Sequence, residues 1–171
     1  MNTELMTLLN FNGQDLEANR AGKLSENQRD LLRSQWRRSL LLGFVGLLLV
    51  ALIATTFLFF GSQQESPILS FVGWGVTILN AVMMGVFLRH WLRLNSDLRG
   101  GMVTSLCGET TFTVRMVSKR VALYLVRVEN DQGFVDTEVS RDLFEALRRH
   151  KGAYCLYRTS YTGKLLSIES L

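Results

Sequence analysis

Two long apolar runs lie in the first half of this 171-residue chain, at residues 39–60 and 68–88, with a short polar turn between them. Each run holds about twenty residues, which at a rise of about 1.5 Å per helical residue matches the hydrocarbon thickness of a bilayer. Neither contains Lys, Arg, Asp, Glu or His. A buried helix of a soluble domain rarely stays uncharged on every face for that length. The pattern therefore predicts a transmembrane helical hairpin.

Basic residues flank the hairpin and predict its orientation. The turn at residues 61–67 carries no Lys or Arg and has one acid, Glu65. By the positive-inside rule, both termini lie in the cytoplasm and the turn lies outside, which predicts an integral protein of a bacterial-type cytoplasmic (inner) membrane. The nine flanking basic residues are Arg20, Lys23, Arg29, Arg33, Arg37, Arg38, Arg89, Arg93 and Arg99.

The chain divides into three predicted parts. Residues 1–38 form a polar N-terminal cytoplasmic segment with short helices, and the Ser25–Gln28 stretch fits a capping box that starts the first long helix. Residues 39–96 form the hairpin, with spans at about 39–60 and 68–92. Residues 102–171 form a soluble β-rich domain, after a hinge at Gly100 and Gly101.

Alternating polarity predicts strands in the C-terminal domain. The order of three strands, a short extended piece, one helix and two strands is of the OB type. The predicted fold class is therefore α+β, a transmembrane hairpin followed by a small β-barrel-like domain, OB- or SH3-like, with one helix; an open α+β sheet also fits. The predicted strands are 102–106, 111–116, 121–128, 134–137, 153–159 and 165–168, with the helix at 141–150.

The two cysteines, Cys107 and Cys155, lie in this domain. In the cytoplasm we expect reduced thiols that act as small buried hydrophobic side chains. In an OB-type barrel the first and fourth strands pair, which would bring these residues near each other. Two Cys and two distant His make no recognisable zinc spacing, so we expect no metal and no cofactor. His90, at the cytoplasmic end of the second span, is the one candidate ligand for a haem- or chlorophyll-type metal.

Small residues recur every four positions in the second span, at Gly73, Thr77, Ala81 and Gly85. The first span has a weaker row that includes Gly43 and Ala51. Small residues let membrane helices approach closely, because lipid supplies no hydrophobic drive for association. These rows either pack the two spans together or dock the hairpin on another membrane protein.

Three further features belong to the membrane region. Asn80 near the middle of the second span needs a hydrogen-bond partner, either inside the hairpin, with Thr55 and Thr56 as candidates, or on another subunit. Aromatic and basic side chains at both cytoplasmic span ends suit the headgroup layer. These predicted interface anchors are Trp36, Arg37, Arg38, Arg89, Trp91 and Arg93.

Across residues 39–171 the layout resembles the NfeD-type membrane proteins, in which membrane hairpins precede a small cytoplasmic OB-type barrel. The likeness is one of architecture. It implies an OB-type tail, and it carries no motif that transfers an activity to this chain.

The sequence favours a non-enzymatic role. It contains no nucleophile elbow, zinc-protease motif, phosphate-binding loop or dinucleotide fingerprint. From residue 102 onward, ten basic residues face eight acidic ones, too even a balance for a nucleic-acid binder. We therefore expect an accessory or scaffold subunit that associates with the bilayer and with other membrane subunits or itself. A membrane-tethered ligand-binding or sensor module is the alternative, followed by an oligomeric transporter or channel component.

Overall fold

The computed structural model describes residues 3–118, 121–130, 133–150 and 152–171, and of Asn130 only the backbone. It divides into two compact units. One is Leu31–Ser96, and the other joins Met1–Asp30 to Asp97–Leu171. We call them the helical unit and the sheet unit.

Two long helices carry the apolar runs. Helix α3 spans Glu26–Gln63 and helix α4 spans Pro67–Gly100, in agreement with the predicted hairpin. The predicted capping box at the start of α3 is confirmed, because the Gln28 N–H donates to Ser25 Oγ at 3.0 Å and the Ser25 N–H donates to Gln28 Oε1 at 3.4 Å. Pro67 opens α4, where its missing N–H costs nothing.

Helices α1 and α2 precede this hairpin, and the sheet elements follow it. The sheet unit contains five antiparallel strands in the order β3-β2-β1-β4-β5, with one helix in the connection between β3 and β4. The elements are α1 (Thr3–Leu9), α2 (Gly13–Arg20), β1 (Val103–Ser118), β2 (Val121–Asn130), β3 (Gly133–Val139), α5 (Arg141–Arg149), β4 (Ala153–Thr159) and β5 (Leu165–Ser170).

Strand β1 is continuous, although its sequence predicts two separate strands. Its first half pairs with β4, from Val103 to Glu109, and its second half pairs with β2, from Glu109 onward. Gly108 lies at this change of partner, and a Cβ there would overlap the carbonyl group of Glu129 on β2. The glycine is therefore a point of close strand approach that keeps the strand intact.

The predicted closure into an OB- or SH3-like barrel is not confirmed, because the sheet is open. Strands β3 and β5 are its two edges and do not pair with each other. Helix α1 packs against both α5 and β5. Its Leu5 is buried in the same core as the α5 side chains Leu143 and Leu147. The N-terminal helix thus supplies part of the cover that closure of the sheet would otherwise provide.

The main core lies between α5 and one face of the sheet. Ser140 caps α5 by accepting a hydrogen bond from the Leu143 N–H at 3.3 Å. Phe144 packs edge-on against Phe112 of β1 and also contacts Tyr124 of β2. Residues buried in this core include Val126, Val128, Val139, Ala146, Tyr154, Leu156 and Ile168.

The N-terminal helices belong to the sheet unit, whereas the sequence assigned residues 1–38 to a segment of their own. Asn19 Nδ2 on α2 donates to Ser167 Oγ on β5 at 2.7 Å. Beside it, the Arg20 guanidinium donates to the Glu169 carboxylate, and this hydrogen bond lowers the pKa of Glu169. The buried Asp15 carboxylate accepts from the Asn12 N–H, from Ser25 Oγ and from Asn27 Nδ2, and so ties α2 to the start of α3.

The predicted hinge at Gly100 and Gly101 is held by hydrogen bonds within the sheet unit. Gly101 has a positive φ of 59°, which glycine adopts without strain. Its carbonyl accepts from the Leu24 N–H at 2.8 Å, and the Val103 N–H donates to the Gly22 carbonyl at 2.9 Å. The segment before α3 therefore pairs with the segment before β1.

Asp97, in the last turn of α4, is a buried anchor that the sequence analysis did not single out. Its side chain is only 1% exposed. The carboxylate accepts from the Tyr161 N–H and the Thr162 N–H, each at 2.8 Å, and from Thr162 Oγ1 at 2.6 Å. Asp97 thus fixes the turn between β4 and β5.

The expectation of reduced thiols differs from the structure, which joins Cys107 and Cys155 in a disulfide. Pairing of the first and fourth strands is confirmed, and it sets the two residues directly opposite each other with their Cα atoms 4.0 Å apart. Cys107 is exposed, whereas Cys155 is buried with Phe11, Leu16 and Tyr157. The register of β1 and β4 is therefore the physical reason that the sulfurs meet.

We predict that Asp97→Asn weakens the turn between β4 and β5. The amide keeps one acceptor oxygen but turns an NH₂ group toward backbone N–H donors, at a cost of about 1.5–3 kcal/mol. Hydrogen exchange of residues 160–163 should accelerate accordingly. The exposed Asp142→Asn is the control and should leave this exchange unchanged. Unaltered exchange in Asp97→Asn would show that the carboxylate does not hold the turn.

We predict that reduction of the disulfide lowers the free energy of unfolding of the sheet unit by about 2–4 kcal/mol, because the bond closes a loop of 48 residues. Denaturant unfolding with and without reductant, monitored by hydrogen exchange of β1 and β4, measures the change. The double variant Cys107→Ser/Cys155→Ser should not respond to reductant. Two thiols titrating in protein purified without reductant would contradict the bond.

Candidate functional site

The long helices of the helical unit leave their apolar side chains almost entirely uncovered. Both are long and apolar enough to cross a membrane, and only 11% and 6% of their most apolar stretches are buried. A core helix of a soluble protein would be mostly buried instead. Among the largest exposed side chains are Leu41, Leu52, Phe59, Ile68, Phe71 and Trp74. This surface is the most extensive candidate for contact with lipid or with another apolar partner.

Glycine contacts inside the helical unit define the face on which the two helices pack. A Cβ on Gly43 would overlap the ring of Phe87 on α4. A Cβ on Gly73 would lie 2.7 Å from Leu58 Cγ and 3.0 Å from the Leu58 backbone nitrogen. Leu47 and Ala54 are buried on the same helix as Gly43, and Ala51 is half-buried. Gly43, Gly73, Ala51 and Ala54 thus use small side chains for contact within the hairpin, with Leu47 buried among them.

The row of small residues on α4 does not stay on that face. Twelve residues separate Gly73 from Gly85, so at 3.6 residues per turn the row drifts by about 120° around the helix. Gly73 is buried and Thr77 is half-buried, and the Thr77 hydroxyl donates to the Gly73 carbonyl at 2.8 Å. Ala81 and Gly85 are exposed, and a Cβ on Gly85 would meet nothing within 4 Å. The row therefore splits into an inner pair and an outer pair.

Asn80 has a buried carbonyl oxygen that accepts no hydrogen bond from the described part of the chain. The candidate partners Thr55 and Thr56 donate instead to the Leu52 carbonyl, at 2.9 and 2.8 Å. An unpaired buried amide oxygen costs free energy in an apolar surrounding. Among the described residues, the side-chain oxygen of Asn80 is thus left without a donor.

His90 lies at the edge of a small cavity near the end of the apolar stretch of α4, lined also by Trp36, Phe87 and Trp91. The indole nitrogen of Trp36 is buried there without a hydrogen-bond partner among the described residues. His90 itself is exposed, and the described residues contain no cluster of three His, Cys, Asp or Glu side chains able to hold a metal ion. Besides Trp36 and Trp91, the predicted interface anchors are Arg37, Arg38, Arg89 and Arg93, and these four arginines are all exposed.

The sheet unit has an open cleft of about 560 Å³ beside the edge strand β3. We call it the β3 cleft. Residues 136–139 form one wall, and Arg158 with residues 162–165 of the β4–β5 hairpin form the other. Leu8 and Leu9 of α1 and Leu143 of α5 contribute apolar surface to its lining. The cleft lies where the sheet remains unclosed.

Thr137 is the one residue of this lining that combines burial with an unused polar atom. Its side chain is 7% exposed, and its Oγ1 has no hydrogen-bond partner among the described residues. The neighbouring Asp136 accepts from Arg127 Nε at 2.7 Å and from Arg127 Nη2 at 3.0 Å, and these hydrogen bonds lower the pKa of Asp136. Asp136 therefore has a partner, whereas the Thr137 hydroxyl oxygen has none within the described part of the chain and is closed off from solvent.

Sequence reasoning did not find the buried polar residues of the sheet unit. Asp15 could have been found, because Asn12 and Asp15 stand at the spacing of a capping box, and both of its hydrogen bonds are present. Asp97 and Thr137 carry no comparable signal. The groups that bond Asp97 lie about 65 residues further along the chain. The residues that surround Thr137 come from both the N-terminal and the C-terminal end of the sheet unit.

No protein-family model matches this chain, and no match was found among curated proteins or among solved structures. At the level of fold, the chain is a two-unit protein with two candidate transmembrane helices and an open antiparallel sheet.

We predict that Gly73→Leu disrupts the hairpin, because the new side chain must displace Leu58 and its backbone. Overpacking of this kind costs about 1–3 kcal/mol. The expected result is a lower midpoint for loss of α3–α4 proximity, measured by spin-label distances during titration with a denaturing detergent. Gly75→Leu is the matched control, because a Cβ at Gly75 meets nothing within 4 Å. Equal midpoints for the two variants would show that Gly73 is not a packing contact.

Proposed function

We propose that this chain is a non-enzymatic accessory or scaffold subunit of a bacterial-type cytoplasmic membrane. In this proposal the hairpin crosses the bilayer and docks on partner membrane proteins, or on a second copy, through its outer face. The sheet unit lies in the cytoplasm, where it binds a partner or the membrane surface. The observation that carries the proposal is the nearly complete exposure of two helices whose length and composition suit a bilayer.

The outer pair of small residues supports docking through the hairpin. Ala81 and Gly85 are exposed, and the space beside Gly85 is open. A second helix could approach this surface closely, and close packing is what stabilises helix association in lipid.

The proposed orientation follows from nine flanking basic residues against none in the turn. It places Cys107 and Cys155 in a reducing compartment, where disulfides are rare and mostly transient. In this orientation the disulfide forms or is reduced according to the reduction potential of the cytoplasmic thiols.

A membrane-tethered ligand-binding or sensor module is the second candidate, and the β3 cleft is the observation that favours it. Its size falls within the range of small-molecule sites, and its lining combines apolar side chains with charged ones such as Glu138 and Arg158. An oligomeric transporter or channel component would need several hairpins arranged around Asn80.

We predict that Ala81→Leu and Gly85→Leu each abolish association of the protein with its membrane partner while the hairpin stays intact. Bulky side chains at these positions hold a neighbouring helix away. Native mass spectrometry of the protein extracted in mild detergent should show loss of the dimer or of co-purifying subunits. Gly75→Leu, also in open space on a different side of α4, is the matched control and should retain the complex.

Two results would contradict the docking role. One is an unchanged native mass and stability in both Ala81→Leu and Gly85→Leu. The other is recovery of the full-length chain in the high-speed supernatant of lysed cells without detergent, because that would remove the bilayer from the proposal altogether.

A further inference from the structure

The hairpin formed by β1 and β2 extends beyond the other strands of the sheet. Pairing with β4 ends at Glu109 of β1, and pairing with β3 ends at Tyr124 of β2. In the described part of the chain, residues 114–118 of β1 and 121–123 of β2 therefore have no third strand beside them. We call these two segments the ribbon tip. A two-stranded ribbon is only marginally stable in water by itself, so a binding partner would stabilise a tip of this length.

Apolar side chains of the ribbon tip lie past the end of the core. Phe112 packs in the core against α5. Because side chains alternate along a strand, Val114 and Met116 lie on the same face of β1, yet they are 46% and 65% exposed. Val117 and Val121 are 61% and 51% exposed. Four large apolar side chains close together at the end of a ribbon indicate a surface that contacts an apolar phase.

The charge of this hairpin is basic throughout. Residues 110–128 contain four basic residues and no acidic residue. Arg115 is exposed on the ribbon tip, and Lys119 and Arg120 join the two strands in the sequence. The fourth basic residue, Arg127, lies further along β2 and forms an ion pair with Asp136. Basic residues interspersed with exposed apolar ones complement an anionic lipid surface, which offers phosphates beside an acyl layer.

Chain connectivity favours lipid over a soluble partner. The second apolar run ends at residue 88 and β1 begins at Val103, so residues 89–102 connect them. When the hairpin is inserted in a bilayer, this short connection gives the ribbon tip a high effective concentration at the membrane surface. A weak affinity for lipid is then enough to keep the tip bound.

We propose that the ribbon tip binds the anionic surface of the membrane that the hairpin crosses. Its apolar side chains enter the boundary between headgroups and acyl chains, and its basic residues bind lipid phosphates. This inference deepens the proposed function and rests on it, because it selects the membrane surface as the target of the sheet unit and names the segment that binds it.

The test uses full-length protein in nanodiscs of phosphatidylcholine, with or without phosphatidylglycerol. Hydrogen exchange of the ribbon-tip amides should be at least about tenfold slower in the anionic discs, since each basic residue near an anionic surface favours binding about fivefold. Exchange at residues 154–157 of β4 should be the same in both discs. Equal exchange of the ribbon tip in the two kinds of disc overturns the proposal.

Two variants separate the contributions of charge and apolar contact. Arg115→Gln should reduce the slowing in anionic discs about fivefold. Val117→Asn should reduce it about tenfold, because an amide does not enter the acyl boundary. Arg148→Gln and Leu171→Asn change exposed residues outside the ribbon tip and should keep the full slowing. Unchanged exchange at residues 154–157 shows that each variant is folded, and full slowing in either tip variant overturns the proposal.

A photoreactive side chain distinguishes lipid from protein as the binding partner. A benzophenone amino acid in place of Val117, illuminated in native membranes, should give adducts with the mass of a phospholipid. The same amino acid in place of Leu171 is the control and should give none. Adducts with another protein or a second copy of the chain, in place of lipid, overturn the proposal.

The outcomes distinguish this inference from the proposed function. If exchange of the ribbon tip ignores phosphatidylglycerol while Gly85→Leu still abolishes association, membrane binding by the tip is wrong and hairpin docking stands. If the ribbon tip responds as expected while Gly85→Leu and Ala81→Leu leave the native mass unchanged, hairpin docking is wrong and the tip remains a lipid-binding segment.

Discussion

The sheet unit depends on strand β1, which pairs with two different partners along its length. Its first half pairs with β4 and its second half with β2, so in the described sheet the β3–β2 side and the β4–β5 side are hydrogen-bonded to each other through this strand. Gly108 permits the change of partner, since any Cβ there would overlap the Glu129 carbonyl. Register along β1 therefore determines where every other strand lies, including the edge that β3 leaves open.

Hydrophobic periodicity and charge were enough to predict the long apolar helices and the strands of alternating polarity. The uncharged runs predicted α3 and α4, and Ser25 with Gln28 marked where α3 begins. The strand pattern predicted a β-rich unit with one helix, and the OB-type interpretation of that unit predicted the pairing of β1 with β4. It failed at Gly108, because a glycine that permits close approach looks in sequence like a glycine that ends a strand.

The packing of segments that are distant in sequence could not be predicted from periodicity or charge. The place of α2 on the sheet depends on hydrogen bonds from Asn19 to Ser167 and from Arg20 to Glu169, which are about 150 residues further along the chain. For the same reason the buried roles of Asp97 and Thr137 were missed. The row from Gly73 to Gly85 was recognised, but its split into inner and outer pairs follows from where Leu58 lies.

The bond between Cys107 and Cys155 also determines how the sheet unit responds to mechanical force. It encloses β2, β3, α5 and about three quarters of β1 in one covalent loop, and residues 156–171 follow it in the sequence. A protease motor that threads the chain from the C-terminal side reaches the crosslink after removing β5 and part of β4. Beyond that point it must draw two strands through its pore at once, so the oxidised chain resists degradation until a reductant opens the loop.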